Sequence, residues 1–109
     1  ILPGRTIDSN RCISYLTIEN REQIPDTFNG KLENRAFGCD ICQDVCPWNR
    51  KAQQHHVQEF EPHPRLLEIK KSDWETLDKT RFNELFRRSA VKRTGYRGLS
   101  RNIAFLKKT

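Results

Sequence analysis

Cys39, Cys42 and Cys46 fall within eight residues, and Pro47 follows the last of them. A fourth cysteine, Cys12, lies upstream with 26 residues between it and Cys39. This pattern limits the chain more than any other feature. Two disulfides are one reading of four cysteines in a short chain. Cysteines three and four positions apart on one loop are poor disulfide partners, however, and no signal peptide points to an oxidising compartment. The same spacing suits thiolates converging on an inorganic centre.

Such a centre also answers a packing problem. At 109 residues there is room for one small domain. Only 35% of the residues are hydrophobic, 31% are charged, and the mean hydropathy is −0.85. The apolar core is therefore thin, and something besides burial is expected to hold part of the chain. No apolar run approaches the roughly 18 residues of a membrane span. A cytoplasmic protein without a membrane role is the expectation. The chain opens Ile1-Leu2-Pro3-Gly4 and has no methionine, which reads as a piece of a longer protein.

The spacing discriminates between metals. Zinc ribbons and fingers usually present two close pairs separated by a dozen or more residues. Here the run is C-x2-C-x3-C-P, the closing part of the bacterial ferredoxin pattern C-x2-C-x2-C-x3-C-P. The missing first cysteine of that pattern would fall at Ala36, and Cys12 is the natural substitute. In the ferredoxin run the cysteine before proline serves the other cluster of a pair. Cys12, Cys39 and Cys42 are thus expected on one 4Fe-4S cluster, with Cys46 on a second. Neither set reaches four ligands. A structural zinc site closing on Cys12, Cys39, Cys42 and Cys46 remains the alternative for the isolated chain, which could also hold one partial cluster or none.

Periodicity predicts a mainly α chain of short helices and irregular loops. Asp8 or Ser9 caps a short helix carrying Ile13 and Leu16, and Pro25 opens a second with Phe28 and Leu32 on one face. A helical turn is expected between Cys39 and Val45. After a polar connector, Ser72 with Glu75 suggests a capping box, and Thr80 a cap for Phe82, Leu85 and Phe86. Gly95 and Gly98 predict a turn before a last helix marked by Leu99, Ile103 and Leu106. The divisions are residues 1–52, the later part of a double 4Fe-4S, ferredoxin-like domain; 53–64, a connector; and 65–109, a basic helical segment. Residues 1–78 hold 10 Lys and Arg against 13 acids, whereas residues 79–109 hold 10 against the single acid Glu84. So basic a segment suggests a phosphate-bearing partner, although a solvated helix face is the plainer reading.

The stretches RCISYLTIE, IPDTFNGKLENRAFGCDICQDVCPWN and LFRRSAVKRTGYRGLSRNIAFL resemble the C-terminal half of the epoxyqueuosine reductase family. Those are iron–sulfur and cobalamin enzymes that complete the modified tRNA base queuosine. The resemblance implies an upstream C-x2-C-x2-C-x3-C-P run and a preceding cobalamin-binding catalytic domain, both missing from this chain. It implies the same ligand division as the spacing, and cobalamin contacts at Ser14, Cys39 and Asp40. No catalytic residue is expected here, and the segment alone should be inactive. An electron donor protein, tRNA in its anticodon region and the missing domain are the implied partners of a monomer.

Arg87, Arg88, Lys92, Arg93, Arg97 and Arg101 are the candidate tRNA contacts, with Tyr96 available for stacking. Asn102, beside Arg101, suits packing or capping. Trp48, directly after Cys46-Pro47, is expected to shield a cluster, and Trp74 to pack in the core. His55, His56 and His63 read as surface loop, since adjacent histidines on an extended chain point apart. Asp40 and Asp44 flank thiolates and should be exposed or hydrogen-bonded. A generic ferredoxin module is the competing function, and the basic tail is the feature it leaves without a purpose.

Overall fold

The computed structural model describes residues 1–108. Among them the secondary structure is helical, with no strand beyond an isolated bridge between Leu2 and Thr6. The elements are short. Helices of four to seven residues are marginal in water and persist only where packing holds them.

The first segment builds the surroundings of Cys12. Asp8 caps the 3-10 turn Ser9–Arg11, its carboxylate accepting the Asn10 N–H at 3.1 Å. After Cys12 the chain enters a helix that widens into a π-helix over Tyr15–Glu19. The wider register is explicit in the Asn20 N–H, which reaches the Tyr15 carbonyl at 2.9 Å. Leu16 and Thr17 face inward. A 3-10 turn at Asp26–Phe28 follows Pro25, and Ile24 and Leu32 on either side are buried.

Helix α1 (Ile41–Asp44) carries Cys42. Residues 47–65 are exposed throughout. Helices α2 (Pro64–Glu68), α3 (Lys71–Glu75) and α4 (Lys79–Leu85) come next, then a 3-10 turn at Ala90–Arg93 and the long helix α5 (Gly95–Lys107). The caps of α3 and α4 sit slightly upstream of their expected places. Asp73, not Glu75, returns to the N–H of Lys70 at 2.9 Å, and Asp78, not Thr80, accepts the Arg81 N–H at 2.7 Å. Ser72 is inside α3. His63 is the N-cap of α2, its ring Nδ1 accepting the Arg65 N–H at 3.2 Å.

Gly95 and Gly98 do not form the expected turn; α5 starts at the first and runs through the second. A Cβ at Gly98 would collide with the Thr94 side chain. The glycine therefore permits a close approach inside a helix and does not end one.

Two apolar clusters share α5. One gathers Leu77, Phe82, Leu85, Phe86 and Leu99, with Trp74 stacked on Phe86 at 6.2 Å between ring centroids. The other gathers Leu16, Ile24, Leu32 and Phe105. Leu99 and Phe105 therefore tie the basic segment to the segment bearing Cys12. No helix among the described residues is long and apolar enough to cross a membrane.

Candidate iron–sulfur ligand site

The four cysteines are free thiols on three local frames. Cys12 ends the Ser9–Arg11 turn, its N–H donating to the Ser9 carbonyl at 3.1 Å. Cys39 precedes α1, Cys42 lies on it, and Cys46 leaves it just before the turn Pro47–Asn49. Cys12, Cys39 and Cys46 are half-buried and Cys42 is exposed. Among the described residues no three His, Cys, Asp or Glu side chains are grouped to hold one metal ion. Neither the four-cysteine zinc set nor the set Cys12, Cys39 and Cys42 is therefore drawn together around one ion among these residues. Thiols of this kind are the donors that iron–sulfur clusters take, and the exposed to half-buried sulfurs are accessible to one.

The frames of Cys12 and Cys39 are joined by hydrogen bonds. Ser14, two residues past Cys12, donates its hydroxyl to the Cys39 carbonyl at 3.3 Å. The Thr17 hydroxyl donates to the Ile13 carbonyl at 2.7 Å and accepts the Gly38 N–H at 3.0 Å. Gly38 has φ +72°, the left-handed region that suits glycine, and this conformation presents its N–H to Thr17. On the other side of the loop, Asn102 donates one amide hydrogen to the Thr17 carbonyl at 2.7 Å and the other to the Ala36 carbonyl at 2.9 Å. Thr94 adds a third donor, its hydroxyl reaching the Thr17 carbonyl at 3.1 Å. Thr17 and Asn102 have no exposed surface, and Thr94 retains 5%.

Arg101 caps the same helix. Its guanidinium donates to the carbonyls of Leu16 at 3.1 Å, Asn20 at 2.7 Å and Glu22 at 2.6 Å, and to Asn102 Oδ1 at 2.8 Å. Burial pulls its pKa below the ordinary value, with nearby Arg21 a smaller cause. A guanidinium nevertheless stays charged. Arg93 pairs through two nitrogens with Glu19, the longer contact being 3.0 Å. The Glu19 pKa is lowered mainly by that hydrogen bond, and the Arg93 pKa is raised by it. Arg87, Arg88, Lys92 and Arg97 are exposed. Arg88 sits at φ +59° where the chain turns out of α4.

Asp40 and Asp44 are exposed, as expected. Trp48 is 92% exposed and covers neither Cys46 nor any core, because the turn Pro47–Asn49 carries it outward. Sequence reasoning missed Thr17 and Thr94 altogether. A threonine inside a helix gives no signal of a tertiary role in one sequence.

Residues 1–49 match the family described as the 4Fe-4S double cluster binding domain. The chain is 55% identical over 107 residues to the epoxyqueuosine reductase of Cyclobacterium marinum, covering 98% of this chain and 34% of that protein. The chain is similar to epoxyqueuosine reductases along nearly its whole length. The enzyme of Cellulophaga algicola is 54% identical over 98% of the chain and 35% of its own length. That of Salmonella typhimurium is 40% identical over 95% of the chain and 27% of its own length. The chain thus spans about a third of the length of the two most similar of these epoxyqueuosine reductases. No solved structure matches it.

Proposed function

We propose that this chain is the cluster-bearing, tRNA-facing part of an epoxyqueuosine reductase. Cys12, Cys39 and Cys42 provide three ligands to one 4Fe-4S cluster, and Cys46 provides one to a second. The remaining ligands come from elsewhere in the protein. The observation that carries the reading is the position of all four cysteines within the double-cluster match, in a chain 55% identical to such a reductase along nearly its whole length.

Bound clusters would supply single electrons, and cobalamin would supply the low-valent metal chemistry for reduction of the epoxide. The residues of this chain hold, insulate and tune. Cys12, Cys39 and Cys46 are half-buried, and partial burial raises the energetic weight of each nearby dipole. Ser14, Cys39 and Asp40 are the proposed cobalamin contacts. Ser14 also has a structural task, since its hydroxyl is hydrogen-bonded to the Cys39 carbonyl. No residue here is assigned a catalytic proton.

The basic segment is the proposed tRNA surface. Arg87, Arg88, Lys92 and Arg97 are exposed and available for phosphates. Arg93 reaches that surface already paired to Glu19, and Arg101 joins it as a capping residue whose hydrogen bonds go to main-chain carbonyls. A cytoplasmic location and an electron donor protein belong to the same proposal.

Metal and sulfide analysis of the anaerobically purified full-length protein tests the reading. Iron and acid-labile sulfide in the amounts of two 4Fe-4S clusters, with broad visible absorption, are expected. Stoichiometric zinc without sulfide would contradict it.

A further inference from the structure

We infer that Thr17 and Asn102 are positioning residues that clamp the Cys39 ligand loop, so that helix α5, outside the double-cluster match, completes the ligand frame. The inference rests on the cluster reading above. It goes beyond that reading because it assigns part of a cluster's environment to Asn102, which is far from every cysteine in sequence.

The argument starts from hydrogen-bond capacity. A side-chain amide offers two donors and two acceptor sites, and the fully buried Asn102 uses all four. Its two hydrogens go to Thr17 O and Ala36 O, while Oδ1 accepts from Arg101 Nε at 3.1 Å and Nη2 at 2.8 Å. One side chain therefore grips the helix after Cys12 and the strand of loop before Cys39 together. Ala36 is three residues ahead of Cys39.

Thr17 closes the other side. Its hydroxyl holds the Gly38 N–H, one peptide from Cys39, and its carbonyl takes both Asn102 and Thr94. The end of the helix explains why that carbonyl is available. In an ordinary α-helix the Thr17 carbonyl would accept the N–H four residues on, at Arg21. The chain leaves the helix at Asn20 instead, in an extended conformation. The freed carbonyl becomes the point where α5 attaches. π-Helical segments commonly occur where a structure serves a site.

The consequence is chemical as well as mechanical. Backbone dipoles beside a ligating thiolate set how easily a cluster accepts an electron. A loop fixed through Gly38 N–H and Ala36 C=O holds those dipoles in one orientation. Released, they reorient or take up water, and the potential of the cluster bound by Cys39 shifts. The cluster bound by Cys46 lies on the far end of α1, after the clamp, and keeps its potential.

Potentiometric titration of the full-length protein, followed by electron paramagnetic resonance, tests the clamp. Thr17→Val removes the hydroxyl at nearly constant volume, and Thr17→Ser restores it. Cys42→Ser identifies the signal of the cluster that shares Cys39. The expected result is a shifted midpoint for that signal in Thr17→Val, a wild-type midpoint in Thr17→Ser, and an unmoved second signal in both. Asn102→Ala should shift the same signal. If Asn102→Ala does not fold, the threonine pair alone decides. A wild-type protein with two clusters and an unchanged midpoint in Thr17→Val overturns the clamp while leaving the cluster reading standing. A wild-type protein without iron and sulfide overturns both.

Discussion

At the scale of single residues, backbone conformation and charge pairing mark where the chain tolerates no change. Gly38 holds φ +72° with its N–H on Thr17, and a Cβ would meet only Ile18 at an ordinary 3.9 Å. The cost of Gly38→Ala is thus conformational, about 1–2 kcal/mol for a left-handed alanine. An unfolding free energy lowered by that amount in denaturant titration is expected, and an unchanged one would contradict the conformation. Gly98→Ala acts by collision, pushing Thr94 off the Thr17 carbonyl. The Glu19–Arg93 pair adds a pH dependence. Because the folded carboxyl pKa is depressed below 4.5, its contribution is present above that value and is lost as pH falls through the lower folded value. The difference in melting temperature between wild type and Glu19→Gln should therefore be full at neutral pH and disappear in acid. It should also shrink with salt. A difference that persists in strong acid would contradict the pairing.

At the scale of elements, the apolar periodicity made α4 and α5 legible. Phe82 and Leu85 in α4, and Leu99 in α5, are buried where helical spacing placed them. The short helical turn expected between Cys39 and Val45 is present as α1. The π-helix was not legible. Its end depends on Arg101, Asn102 and Thr94 supplying donors to the Leu16, Thr17 and Asn20 carbonyls, and those donors are more than 70 residues away. For that reason Gly98 looked like a turn residue when it is a contact residue. Arg101→Met tests the dependence. It takes the guanidinium donor from the Leu16 and Asn20 carbonyls and leaves that of Glu22 only the Asn20 amide, while keeping much of the side-chain volume, so a loss of roughly 1–3 kcal/mol is expected. Hydrogen exchange should quicken over residues 15–20, and unaltered exchange there would show that the cap is unnecessary.

At the scale of the whole molecule, a radius of gyration of 15.4 Å exceeds the roughly 13 Å of a compact domain of this size. The exposed span at 47–65 and the two modest apolar clusters account for it. The thin core inferred from composition is thus visible, and the polar clamp links what apolar burial leaves loosely joined. The basic segment supports a separate prediction. Charge reversal at Arg87 and Arg97 in the full-length protein should weaken tRNA binding and lower the salt slope by about one per lost phosphate contact. Binding with an unchanged slope would remove these residues from the RNA surface. The three-residue gap and Pro47 set Cys46 apart from its neighbours in the sequence, and the division into two half-sites proposed from them rests on that spacing. Nothing in the sequence showed that α5 braces one of the halves. The division itself is tested most directly by electron paramagnetic resonance of two variants of the full-length protein, Cys42→Ser and Cys46→Ser. The account predicts that each perturbs a different cluster signal and leaves the other intact. Perturbation of one and the same signal by both variants would contradict it.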